Sequence, residues 1–405
     1  MNSAAADRTA NDSGGPRVAH PEINVTMDDL PGMHEALAAM REEGPVVEVR
    51  CNGERAWIVL TYEALRDALR DEETFPSAAS YSRTTDPATG RTLNSMKGDE
   101  HTRNRAVVSP AFRRQRMAAY RPEVLEPACH RVVDRFAGAS PVDLRAVLTH
   151  RLPMEVITRL LGLPAEDSDA LERWSNALFT YPFDPDGALA AKAEFTAFLE
   201  PVMQQRREEP GDDLISTLVG GEFQGRRLDD EEILSFLRLL FPAGTHNTTN
   251  AIGNLFFALL ERPELLDRVR DDVDARDWAI EEALRWEPPV GNLPRRARAE
   301  GAEFHGVELP PDAPMVYSFA AAGRDPAMFP DPDRFDLDRR PQEMLTFGLG
   351  EHFCLGAWLG RQEMRVALDV VLERTRHVEL LDVEAARPRG GSLRGPQALP
   401  VSIEW

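Results

Sequence analysis

Apolar residues along most of this chain recur at the spacing of helices that bury one face. The pattern predicts amphipathic helices over 115–137, 153–163, 186–207, 229–262, 264–273 and 277–286, with another from Ala357 to Arg374. One early stretch alternates instead. Val46-Val47-Glu48-Val49 and Ala56-Trp57-Ile58-Val59-Leu60 flank Asn52-Gly53, a dipeptide suited to a tight hairpin turn, and helical spacing resumes from Tyr62 to Leu69. The longest helix has an acidic start, Asp229-Asp230-Glu231-Glu232, which suits a helix N-terminus, and an apolar face through Ile233, Phe236, Leu237 and Leu240. Pro242 withholds an amide in its middle, so a kink is expected there. There is no internal repeat. The reading is a mainly α protein with a minor β portion.

A length of 405 residues with 42% hydrophobic content supplies a large core, and no break in composition divides it. The segment from Met1 to about Arg17 has too few apolar residues to pack and no apolar run long enough for a signal or an anchor. A disordered tail over 1–17, a single domain over 18–405 and a cytoplasmic, monomeric protein away from membranes are therefore expected. The net charge of −21, from 47 basic and 68 acidic side chains, argues against nucleic acid or an anionic membrane as partner. Three cysteines, Cys51, Cys129 and Cys354, are too few and too scattered for a disulfide framework.

Candidate chemistry concentrates at Phe347-Gly348-Leu349-Gly350-Glu351-His352-Phe353-Cys354-Leu355-Gly356, which delivers Cys354 to the start of the helix from Ala357. Amide groups and the dipole at a helix start favour thiolate over thiol, and thus metal ligation. The plain alternative is a buried free cysteine in a glycine-rich turn.

This loop resembles the haem-binding loop of the cytochrome P450 superfamily, Phe-x-x-Gly-x-x-x-Cys-x-Gly, with its bacterial histidine at His352. The resemblance runs from about Leu30 to the C-terminus. It implies the superfamily's fold, with haem b buried between a long kinked helix and the helix after the Cys loop. It also implies Cys354 as the axial thiolate and metal ligand, with Phe347, Gly348, Gly350 and Gly356 shaping the cofactor site. Glu100 to Arg105 resembles the superfamily's His-x-x-x-Arg segment, so His101 and Arg105, together with Arg295 and His352, are expected on the haem propionates. Glu282, Arg285 and Arg334 are expected as a buried ionic triad.

The implied reaction is insertion of oxygen from O2 into a mid-sized hydrophobic small molecule of secondary metabolism. The alternatives are non-hydroxylating or peroxide-driven oxidation, and a haem protein that binds a small molecule without turnover. Electrons are expected from NAD(P)H through a separate ferredoxin or flavodoxin and its reductase. The sequence carries no Gly-rich dinucleotide fingerprint and too few cysteines for an iron–sulfur cluster of its own. Arg113, Arg114 and Arg116 form a basic cluster suited to docking an acidic donor.

Ala243-Gly244-Thr245-His246-Asn247-Thr248 occupies the place where the superfamily usually reads Ala-Gly-x-Asp/Glu-Thr. Ala243 and Gly244 leave room for a planar group, and His246, Asn247 and Thr248 are expected to form an altered proton relay. His246 can carry a proton near neutral pH, whereas Asn247 has none to titrate. The other reading makes His246 a core histidine facing away from the haem. The resemblance places the substrate pocket along 77–96, 179–183, Leu240, Ala243 and 290–293.

Overall fold

The computed structural model describes residues 22–23, 32–164 and 168–405, so the expected tail over 1–17 lies outside the described residues. Strands β1 (Val46–Cys51) and β2 (Glu54–Val59) form the expected hairpin. Its two-residue turn places Asn52 and Gly53 at φ 51° and 79°, the positive angles that fit the twist of the flanking strands. Two later strands, β3 (Asn292–Arg296) and β4 (Pro314–Ser318), complete a sheet of order β1-β2-β4-β3. In it β2 runs parallel to β4, with Trp57 opposite Met315, while β3 runs antiparallel to β4, with Leu293 opposite Tyr317.

Helices make up most of the remainder. Those that build the site are α1 (Tyr62–Arg70), α2 (Gly98–Val108), α3 (Arg151–Leu161), α4 (Ser168–Phe179), α5 (Pro185–Glu208), α6 (Asp230–Leu260), α7 (Val273–Trp286) and α8 (Ala357–Arg374). The acidic start of α6 closes into a capping box: the Glu232 amide donates to Asp229 Oδ1 at 2.8 Å and the Asp229 amide to Glu232 Oε2 at 2.9 Å. The helix then continues through Pro242. It is buried nearly all round from Thr248 to Leu260 and packs against α3, α4, α7 and α8.

The ionic core differs from expectation in one member. Arg285 donates to Glu282 Oε1 and Oε2 at 2.7 and 2.8 Å with neither side chain reaching solvent. The second cation on Glu282 is Arg339, at 3.1 Å. Arg334 has a side chain 70% exposed and contributes only its carbonyl, which accepts from Arg285 at 3.2 Å. The loop geometry decides this, because the turn after Pro330 points the Arg334 carbonyl inward, and Arg339 returns over it to donate to the Pro330, Asp331 and Arg334 carbonyls. Thr346 Oγ1 donates to the Leu284 carbonyl at 2.8 Å, fastening the approach to the Cys loop onto α7.

Candidate active site

Gly348 and Gly350 stand at φ 72° and 69°, where any other residue would be strained. The turn they make lets the Cys354 amide donate to the Phe347 carbonyl at 2.8 Å. Gly356 caps α8 at an ordinary φ of −84°, and a Cβ there would meet nothing within 4 Å, so its contribution is open space. Burial pushes the Cys354 thiol up; the Gly356 amide, then Arg105 and Arg361, pull it down. The helix start thus favours the anion as the spacing predicts, but desolvation outweighs it, and a metal cation is what deprotonates a coordinating thiol outright.

Cys354 is exposed onto a cavity of about 300 Å³ between α6 and α8. Its walls hold Ala243, Gly244, Asn247 and Thr248 from α6, Phe347, His352, Cys354 and Gly356 from the loop, and Glu363 from α8. Arg105 reaches the same cavity and donates to the Phe353 carbonyl at 2.6 Å. Leu93, Asn94 and Leu240 line it from the regions expected to hold substrate; 179–183 and 290–293 do not. Gly244 faces the cavity, yet a Cβ there would come within 3.2 Å of Ile157 Cδ1, so the missing side chain makes room for the crossing of α3 as well.

The expected propionate residues form two groups. His101 is 2% exposed, and its ring lies 4.9 Å from that of His352. Burial, then the charges of His352 and Arg105, hold His101 down at about 4. Nε2 of His101 is buried without a hydrogen-bond partner. Beside the two rings Glu72 Oε1 lies 3.4 Å from His352 Nε2. Burial alone would raise Glu72, but His352 and Ser77 outweigh it and hold it at about 2. Arg295 stands apart from the cavity lining, with its guanidinium 4.8 Å from the Tyr81 ring and 5.7 Å from that of Tyr317.

On α6 the two members of the altered pair diverge. Asn247 faces the cavity, with Oδ1 buried and unpartnered, and Thr248 is beside it. His246 turns the other way. Its Nε2 lies 3.3 Å from Ser175 Oγ on α4, its ring is 5.4 Å from Phe179, and it is not among the residues lining the cavity. Burial holds it at about 4. Asn247 and Thr248 follow Ala243 and Gly244 by four positions and so share their face of α6, whereas His246 lies on the side turned toward α4.

The cavity also presents a residue that sequence reasoning passed over. Glu363 is 2% exposed, its Oε2 has no partner, and burial alone pushes its carboxyl well above the ordinary value. A signal existed in the sequence. Leu359, Glu363, Val366 and Val370 fall on one helical stripe, where a carboxylate among apolar residues is costly unless it has a use.

The chain matches the family model described as Cytochrome P450 over residues 168–385. It is 38% identical over 398 residues to the mycinamicin IV hydroxylase/epoxidase of Micromonospora griseorubida, covering 96% of this chain and 99% of that protein. It is 36% identical to the cytochrome P450 monooxygenase PikC of Streptomyces venezuelae, covering 92% and 91%. Among solved structures it resembles cytochrome P450 CYP109Q5 from Chondromyces apiculatus, with a TM-score of 0.85, 29% identity and coverage of 95% and 98%. None of the described helices is long and apolar enough to cross a membrane. With its mainly helical fold and its Cys354 cavity, the chain belongs to the cytochrome P450 family, as a monooxygenase of the bacterial type.

Proposed function

We propose that Cys354 would hold the iron of a haem b, as its thiolate ligand, in the cavity between α6 and α8, and that the enzyme inserts oxygen into a mid-sized hydrophobic metabolite. The observation that carries this reading is a lone cysteine sulfur open to an interior cavity opposite Asn247. The surrounding residues fit the cofactor. The buried, unpartnered Nε2 of His101, with His352 and Arg105 nearby, is suited to a propionate edge.

Haem iron, when bound, supplies dioxygen binding and activation. The protein's part is to hold substrate, exclude water and deliver protons. Insertion of one oxygen atom takes up two protons and two electrons per O2 and releases water, and the electrons come from NAD(P)H through a separate ferredoxin or flavodoxin and its reductase. Asn247 Oδ1 accepts a hydrogen bond from cavity water or a substrate hydroxyl, and Thr248 Oγ1 extends the chain. Glu363 holds the titratable proton on Oε2 that His246, turned toward α4, does not bring to the cavity.

The mostly apolar wall with isolated amides at Asn94 and Asn247 suits a mid-sized hydrophobic metabolite with a few polar atoms, and relatives of this chain are named mycinamicin IV hydroxylase/epoxidase and erythromycin C-12 hydroxylase. Carbon monoxide added to the reduced holoenzyme should give the red-displaced Soret band of thiolate ligation, and Cys354→His should abolish it. A wild-type protein lacking that band overturns the assignment.

A further inference from the structure

Arg238 on α6 is 1% exposed, although it lies outside the cavity lining and away from the ionic core. Its Nη1 and Nη2 donate to Glu231 Oε1 and Oε2, each at 3.0 Å, and Nη1 also donates to the Thr89 carbonyl at 3.0 Å. Its Nε is buried without a partner, and the Glu231 side chain is 62% exposed. A guanidinium buried on such terms adds little stability, and an apolar residue of like volume commonly serves as well. What the charge secures is a hold on one backbone carbonyl.

That carbonyl belongs to a segment fitted onto the helix. Gly90 sits at φ +92°, and a Cβ there would fall 2.1 Å from Ser235 Oγ and 2.9 Å from Glu231 Oε1, so the loop backbone lies directly on α6. Lys192 of α5 donates to the Pro87 carbonyl at 3.2 Å from the other side. The chain then turns tightly, with the amides of Ser95 and Met96 each donating to the Thr92 carbonyl at 3.0 Å. That turn delivers Leu93 and Asn94 to the cavity wall.

We propose that Arg238 is a positioning residue for substrate selectivity: by pinning the Thr89 carbonyl to α6 it sets where Leu93 and Asn94 stand, and so the shape of the pocket they close. The inference rests on the reading of this cavity as the haem and substrate site. Because Arg238 acts through the loop, its removal alters the fit of ligands rather than cofactor binding.

The test compares wild-type holoenzyme with Arg238→Met and Arg238→Lys, using positional isomers of phenylimidazole as probes that differ only in shape. Hydrogen exchange in 86–94 should quicken about tenfold in Arg238→Met, the weight of one hydrogen bond from a charged donor. The ratio of isomer dissociation constants should shift about threefold or more, and Arg238→Lys, which keeps a charged donor, should restore much of both. If Arg238→Met does not fold, Arg238→Gln, which removes the charged donor to the Thr89 carbonyl but keeps a polar side chain, supplies the same comparison with Arg238→Lys. Unchanged exchange overturns the proposal, and so does faster exchange with an unchanged isomer ratio. Should wild type give no azole-induced haem spectrum with any isomer, the reading of the cavity fails instead.

Discussion

Arg339 reaches Glu282 at 3.1 Å with its side chain 9% exposed, while Arg334, five residues earlier, leaves its guanidinium in solvent. Replacing Arg339 by Met removes a charge-assisted hydrogen bond to a fully buried carboxylate and should cost about 1.5–3 kcal/mol. Arg334→Ala should stay within about 0.5 kcal/mol. Denaturant unfolding of the two variants checks this, and equal losses would restore Arg334 to the triad.

Asn247 faces the cavity with a free acceptor. Asn247→Ala should leave the carbon monoxide spectrum intact while lowering product formed per NAD(P)H about tenfold, the weight of one hydrogen bond at the reacting centre. Unchanged coupling removes Asn247 from the proton path.

Glu363 should be a neutral carboxylic acid at neutral pH, since burial raises it with no cation to oppose the shift. The infrared C=O stretch of a protonated acid should therefore appear in the resting protein and vanish in Glu363→Gln. Above the ordinary glutamate pKa of ~4.3 the unfolded chain loses a proton that the folded protein keeps, so rising pH favours the unfolded state. Glu363→Gln should accordingly gain stability relative to wild type as pH rises. Its coupling should fall roughly a hundredfold, the low end for a positioned acid, while peroxide-driven turnover persists because peroxide carries its own protons.

His246 is held at about 4 by burial and rests against Ser175 and Phe179. The unfolded chain takes up a proton as pH falls below ~6.5, whereas the folded protein does so only near the lower value. Wild type should lose stability between those values, and His246→Asn should lose less, as melting scans at pH 5 and 7.5 would measure. Coupling should be unchanged, and a fall matching that of Asn247→Ala would place the imidazole back in the relay.

Of the basic cluster after α2, Arg116 is engaged by Asp212 at 2.6 Å, whereas Arg113 and Arg114 are exposed, Arg114 lying 5.2 Å from the ring of Trp358 on α8. Reversing the charge at Arg113 and Arg114 should slow reduction by an acidic ferredoxin about tenfold at low ionic strength, with the difference closing as salt screens it. Arg116→Glu should change the rate little. A rate insensitive to both reversals discards the docking site.

The sequence alone determined the class of the fold, the hairpin at Asn52-Gly53, the cap of α6 and the cysteine loop, because each depends on local rules: periodicity, turn angles, capping and glycine placement. What only the tertiary structure decided were matters of direction. Whether His246 or Asn247 meets the cavity depends on how α6 is rolled against α3 and α4. Whether Arg334 or Arg339 completes the ionic core depends on a loop folding back over its own carbonyls, and the tie from Arg238 to Thr89 joins residues 149 positions apart. Spacing along a chain fixes which residues share a face. Packing between elements fixes where that face points.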